Sequence, residues 1–137
     1  MPMALADVCV DQELEPVVKQ MTIERMGRPL MAGNNPIHFD AEFARQSGLP
    51  APIATGVMSS AYLSELLTKA FGVEWIRSGR MDVKFIRPIY AGDTVTARGR
   101  VTGTTETSSG VRVALHIWCE TQRGEPVTVG SASVVLH

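Results

Sequence analysis

The residues of this chain best suited to proton chemistry lie in the stretch Asn35-Pro36-Ile37-His38-Phe39-Asp40, with Glu42 just beyond it. An imidazole gives or takes a proton near neutral pH, and a histidine set just after an Asn-Pro turn sits on a short connector from which it can face a cleft. A histidine there can equally cap the next helix or satisfy a buried carbonyl, and one histidine alone is a weak signal. The second stretch, Pro52-Ile53-Ala54-Thr55-Gly56-Val57-Met58, carries different chemistry. A glycine opening a helix permits close approach to the backbone, and the first amides of a helix have no partner within it. Helped by the helix dipole, those amides can hold negative charge developing on a carbonyl oxygen. A tight loop-to-helix junction accounts for the same glycine without a ligand. Ser59, Ser60 and Ser64 follow on the same helix, where small residues also suit close helix–sheet contact.

Other chemistries lack a signature. His38, His116 and Asp40 do not have metal-ligand spacing, and Cys9 and Cys119 make neither a disulfide framework nor a zinc site. Gly33, Gly48 and Gly56 form neither a phosphate loop nor a dinucleotide fingerprint. Met21, Met26 and Met31 read as core filling. Arg80, Lys84, Arg87, Arg98 and Arg100 either rim a phosphate site or solubilise a wet strand face. With 13 Lys plus Arg against 14 Asp plus Glu, the net charge of -1 offers no general footprint for nucleic acid or an anionic membrane. No apolar run is long enough to span a bilayer, and Asp7 and Asp11 stand where a secretion signal would be basic. The expectation is a cytoplasmic protein.

The elements that must position these groups follow from hydropathy period. The 137 residues suit one domain, with an ordered core over about 12–136. Residues 1–12 are expected to fray or form a short edge element, and Pro16 favours an edge strand or loop around Val17 and Val18. Thr22 is a candidate N-cap for a short helix ending by Gly33, with Ile23, Met26, Leu30 and Met31 on one face and Pro29 opposing it. Asp40 caps the next helix, with Phe43 and Leu49 as its expected core contacts. From Gly56 to Phe71 the apolar positions cover a broad helical arc, closed by Gly72. Thereafter the period becomes two. Strands are expected near 80–88, 93–103, 110–121 and 126–136, with Gly103–Gly110 as a hairpin tip and a bulge near Gly130-Ser131. Four such strands read as a curved antiparallel meander with one face against the long helix. A helix this apolar on several sides predicts dimerisation, through a sheet edge or the helix end.

Three stretches in this order resemble the MaoC-like acyl-CoA hydratase/dehydratase family, in particular its single-domain (R)-specific enoyl-CoA hydratases. They are Asn35–Asp40, Pro52–Met58 and Phe85-Ile86-Arg87-Pro88-Ile89-Tyr90-Ala91-Gly92-Asp93-Thr94, and the similarity covers about residues 12–136. The resemblance implies an α+β hot dog fold, an antiparallel sheet wrapped around a long central helix, in a homodimer or an assembly of dimers. It implies a lyase of fatty acid metabolism that adds water reversibly to a 2-enoyl thioester, with coenzyme A as part of the substrate, no other cofactor and no metal. His38 carries over as the catalytic histidine and the Gly56 backbone amide as the donor to the thioester oxygen. Asn35, Thr55, Val57 and Ser59 are the expected substrate contacts.

Two positions depart from the pattern. The family's aspartate falls at Gly33, with Asn34 beside it, and the usual histidine before the helix glycine is Thr55. Asp40 is the first candidate replacement for the missing carboxylate, ahead of Glu42. A non-catalytic thioester-binding or partner subunit is therefore the alternative expectation.

Overall fold

A computed structural model describes residues 2–27 and 33–137. Five strands form one sheet: β1 (Val17–Gln20), β2 (Arg80–Phe85), β3 (Thr94–Thr107), β4 (Gly110–Glu120) and β5 (Pro126–Leu136). The helices are α1 (Ile23–Met26), α2 (Ala41–Gln46), α3 (Gly56–Phe71) and α4 (Val73–Ser78), with 3-10 turns at Leu5–Asp7 and Pro36–His38. Every pairing is antiparallel and the spatial order is β1-β3-β4-β5-β2. The long helix α3 lies against the inner face of this sheet, the hot dog arrangement.

Alternation drives that packing. On β3 and β4, Val95, Ala97, Val101, Val113, Leu115, Ile117 and Cys119 all point inward and are buried. They meet Met58, Leu63, Leu66, Leu67 and Phe71 from α3, which recur at helical spacing. Each large aliphatic side chain buried there contributes about 1.5–3 kcal/mol. Gly72, at φ 62, ends α3 in a conformation that costs glycine little. Among the described residues the opposite side of α3 is partly exposed, with Val57 at 60%.

The strand order corrects the expected meander. Only β3, β4 and β5 run consecutively; β2 pairs with β5 across the far edge. The return from β2 to β3 therefore crosses the N-terminal end of α3. Alternation specifies which residues face inward but says nothing about which neighbour a strand takes. The hairpin tip is also shorter than expected, because β3 continues to Thr107 and leaves only Ser108 and Ser109 in the turn. Its threonines are strand formers as well as polar residues.

The parity change in β5 occurs earlier than Gly130-Ser131. Cys119 faces Thr128 while Glu120 faces Pro126, so Val127 is the extra residue. Thr128 takes a core-facing position, and a polar residue there hid the true alternation. A second irregularity, at Thr102, separates the Val101 and Gly103 pairings.

Near the start of the chain, Met3, Leu5 and Val8 pack on the core, and the Met3 amide donates to the Ala70 carbonyl at 2.7 Å. Residues 11–14 bond to β3 before β1 takes over the same edge. Thr22 caps α1 as expected, its hydroxyl accepting from the Arg25 amide at 3.1 Å. Pro29, Leu30 and Met31, assigned to that helix from sequence, lie outside the described residues. Phe43 does not enter the core: it is 40% exposed, and Ala44 is the buried residue of α2. Helix α4 was not foreseen. Six residues with one buried anchor, Trp75, are too short for a periodic signal.

Candidate functional site

The turn carrying His38 is built from its own side chains. Asn35 caps it, with Oδ1 accepting from the Ile37 amide at 3.2 Å, and Pro36 occupies the first position. The turn is then tied to the loop leading into α3. The Ile53 amide donates to the Ile37 carbonyl at 3.0 Å, and His38 Nδ1 lies 2.7 Å from the Ile53 carbonyl oxygen. A carbonyl only accepts, so Nδ1 carries the proton and a neutral ring presents its lone pair at Nε2. That is the tautomer a base acting through Nε2 requires.

The same loop is held from its other side by the β2–β3 connection. The Ala54 amide donates to the Ile89 carbonyl at 2.8 Å, and the Ala91 amide to the Pro52 carbonyl at 3.0 Å. Asp93 braces this connection. Its carboxylate accepts from the Tyr90 amide at 2.9 Å, Gln122 Nε2 at 2.9 Å, and Arg123 Nη1 and Nη2 at 3.1 and 3.0 Å. Burial pushes the Asp93 carboxyl up, but Arg123, the Tyr90 amide and Gln122 together outweigh it and hold the group below the usual carboxylate range. The three stretches quoted from the sequence thus converge around residues 52–56.

At the head of α3 the Gly56 and Val57 amides find no acceptor among the described residues. Thr55 stands at the N-cap position but does not cap, and its Oγ1 is buried without a hydrogen-bond partner among the described residues. Beside these donors lies a cavity of about 320 Å³, lined by Ala54, Thr55, Gly56, Ser59, Phe85, Ile86, Arg87, Pro88, Ile89 and Thr128. That volume suits a small ligand. Ser59 is buried and satisfied, its Oγ donating to the Gly56 carbonyl at 3.2 Å and lying 2.9 Å from Thr128 Oγ1. The Phe85 ring covers Gly56 so closely that a Cβ there would meet ring carbons at 2.7–2.9 Å.

Thr55, Gly56 and Ser59 are therefore brought to one cavity, whereas His38 is not among its lining residues and is tied to Ile53 in the loop that leads into α3. Asn35 is exposed and spends Oδ1 on its own turn, and Val57 turns its side chain outward. Asp40 is also exposed, and its Oδ1 accepts the Phe43 amide at 3.1 Å as the cap of α2. Glu42 pairs with Arg45, whose hydrogen bond and charge hold its carboxyl low. Gly33 is exposed at φ 58, and among the described residues nothing stands within 4 Å of where a Cβ would project.

Elsewhere, His116 stacks on Trp118 on the outer sheet face with ring centroids 5.0 Å apart, and His137 lies 3.8 Å from Glu74. Burial pushes the Cys119 thiol up to about 12, which leaves it inert. Sequence reasoning missed Phe85 and Thr128 as lining residues. The inward parity of Thr128 would have been the signal, had the Val127 bulge been placed. No group of three metal-binding side chains occurs among the described residues.

Comparison with known proteins bears on the family and the fold. The family described as MaoC like domain matches residues 30–117. The (R)-specific enoyl-CoA hydratase of Aeromonas caviae is 32% identical over 103 residues, spanning 74% of this chain and 75% of that protein. The solved structure of the (R)-hydratase from A. caviae involved in PHA biosynthesis superposes with a TM-score of 0.80 at 25% identity, covering 95% of this chain and 98% of that one. The ChsH1-ChsH2 complex from Mycobacterium tuberculosis shares the fold, with a TM-score of 0.76 at 16% identity over 94% of this chain and 98% of the other. Matched along most of its length in sequence and fold, the chain belongs to the MaoC-like hydratase/dehydratase family.

Proposed function

We propose that this protein catalyses the reversible hydration of a 2-enoyl-CoA thioester to the 3-hydroxyacyl-CoA. The observation that carries this reading is the link from His38 Nδ1 through the Ile53 carbonyl to the loop that delivers the Gly56 amide. In hydration, His38 Nε2 takes a proton from water as the oxygen bonds to the β-carbon. The electron pair of the alkene moves toward the thioester, and the enolate-like oxygen is held by the Gly56 N–H, with the unpaired Thr55 hydroxyl as a second donor. His38 then returns that proton, relayed through water, to the α-carbon as the enolate collapses, which leaves the ring neutral for the next turnover. Dehydration reverses each transfer.

The working unit in this reading is a homodimer. Among the described residues the outer edge of β2 is unpaired, and the strand ends at Phe85, 55% exposed, followed by Ile86, 46% exposed. Such an edge is a template for pairing with a second copy.

A second reading is favoured by Gly33. No carboxylate stands at the family's aspartate position, and a complex of two different chains is among the solved structures with this fold. The chain would then bind thioesters, or support a catalytic partner, without turning them over. Short trans-2-enoyl-CoA substrates, assayed with wild type and His38→Ala alongside binding of a non-hydrolysable enoyl-CoA analogue, separate the two. Turnover that falls about 10²-fold or more in His38→Ala with binding retained supports the hydratase. A folded wild type that binds the analogue and hydrates nothing in a broad panel supports the binding subunit. Equal turnover by the two proteins removes His38 from the mechanism.

A further inference from the structure

We propose that Phe85 sets which acyl groups the site accepts, excluding thioesters branched at the α-carbon; this rests on the hydratase reading and deepens it. Phe85 ends β2, where it pairs with Thr128, and although it is 55% exposed at the sheet edge its ring lies over the head of α3. The strand end is pinned just beyond it, because the Ile86 and Arg87 amides both donate to the Val127 carbonyl, at 2.9 and 3.2 Å. Ring atoms Cε2, Cδ2 and Cζ stand 2.7, 2.9 and 2.9 Å from the point a Cβ on Gly56 would occupy. The ring therefore rests on the bare α-carbon of Gly56, and both residues line the cavity. A thioester oxygen accepting from the Gly56 amide sits about 2.9 Å from that nitrogen. Its carbonyl carbon, and the acyl α-carbon bonded to it, then pass beside the aromatic wall. A flat, unbranched enoyl chain can slide along such a wall, whereas a methyl group on the α-carbon projects into it.

The test compares kcat/KM for trans-2-butenoyl-CoA and trans-2-methyl-2-butenoyl-CoA. Discrimination against one methyl group in a hydrophobic pocket is about 10–200-fold. Wild type is expected to prefer the unbranched substrate by at least about tenfold. Phe85→Ala should shrink that ratio about tenfold, mainly by raising kcat/KM for the branched substrate. Gly56→Ala keeps the amide but forces a Cβ into the ring, so it should weaken binding of an unbranched analogue. Phe85→Ala added to Gly56→Ala should restore that binding, and thermal melting shows which variants are folded. A folded Phe85→Ala whose ratio stays within twofold of wild type overturns the proposal, as does a wild type that hydrates both substrates equally well. A wild type that binds thioesters without hydrating them fails the hydratase reading alone. The same comparison then uses Kd for butanoyl-CoA and 2-methylpropanoyl-CoA, and an unchanged ratio in Phe85→Ala overturns the proposal there too.

Discussion

At the scale of single residues, the site is defined by which polar groups are satisfied and which are not. Asn35, Asp40 and Ser59 each spend their side chains on backbone or neighbouring hydroxyl groups. Thr55 Oγ1 and the first α3 amides do not, and a buried donor left unpaired costs roughly 1–3 kcal/mol. Such a cost is tolerated where a ligand recovers it. Gly33 is the complementary case, a position with no functional group and, among the described residues, no neighbour in the way of a side chain. Its φ of 58 lies in the left-handed region, which aspartate tolerates better than most residues. Gly33→Asp should therefore fold and should raise kcat for enoyl-CoA hydration by about 10²-fold if the carboxylate can share the proton work of His38. The check is steady-state hydration by Gly33→Asp and Gly33→Asn side by side. An equal effect of the two substitutions would rule out a gain from acid–base chemistry.

At the scale of elements, the β2–β3 connection carries the site, and Asp93 carries the connection. The folded protein depresses the Asp93 carboxyl, so its contribution to stability is fully present above the unfolded carboxylate value of about 3.9 and is lost as pH falls through the lower folded value. Asp93→Asn keeps the shape but drops the charge-assisted bonds to Arg123. A loss of about 2 kcal/mol is expected at neutral pH, since Arg123 is half exposed and its share is screened. Urea unfolding at pH 7 and at about pH 3 measures it: the gap between wild type and Asp93→Asn should narrow in acid. A gap independent of pH would show that the turn depends on Asp93 for its shape alone.

At the scale of the whole molecule, one sheet wraps one helix and leaves two surfaces unfinished. The outward side of α3 begins at the exposed Val57, and the edge strand β2 ends at Phe85, with Ile86 just beyond it, beside the cavity. Pairing two copies through β2 would bury apolar surface next to both sites. Sedimentation at micromolar concentration should accordingly show at least two chains per particle. A stable monomer that still hydrates enoyl-CoA would remove the partner copy from the site.

Periodicity was enough to read α3 over Gly56–Phe71, because a long apolar arc bounded by glycines has no other regular solution. It was enough as well for the inward residues of β3 and β4, since alternation on a half-buried sheet admits one register of faces. His38 and Gly56 were legible as residue types with chemistry in them. Which strand lies beside β5, where β5 changes parity and how the Phe85 ring meets Gly56 were decided only by tertiary structure. Each depends on contacts between segments far apart in the chain, as with Phe85 and Thr128 or Ser59 and Thr128. A local pattern records which way a side chain points, not what it will find there.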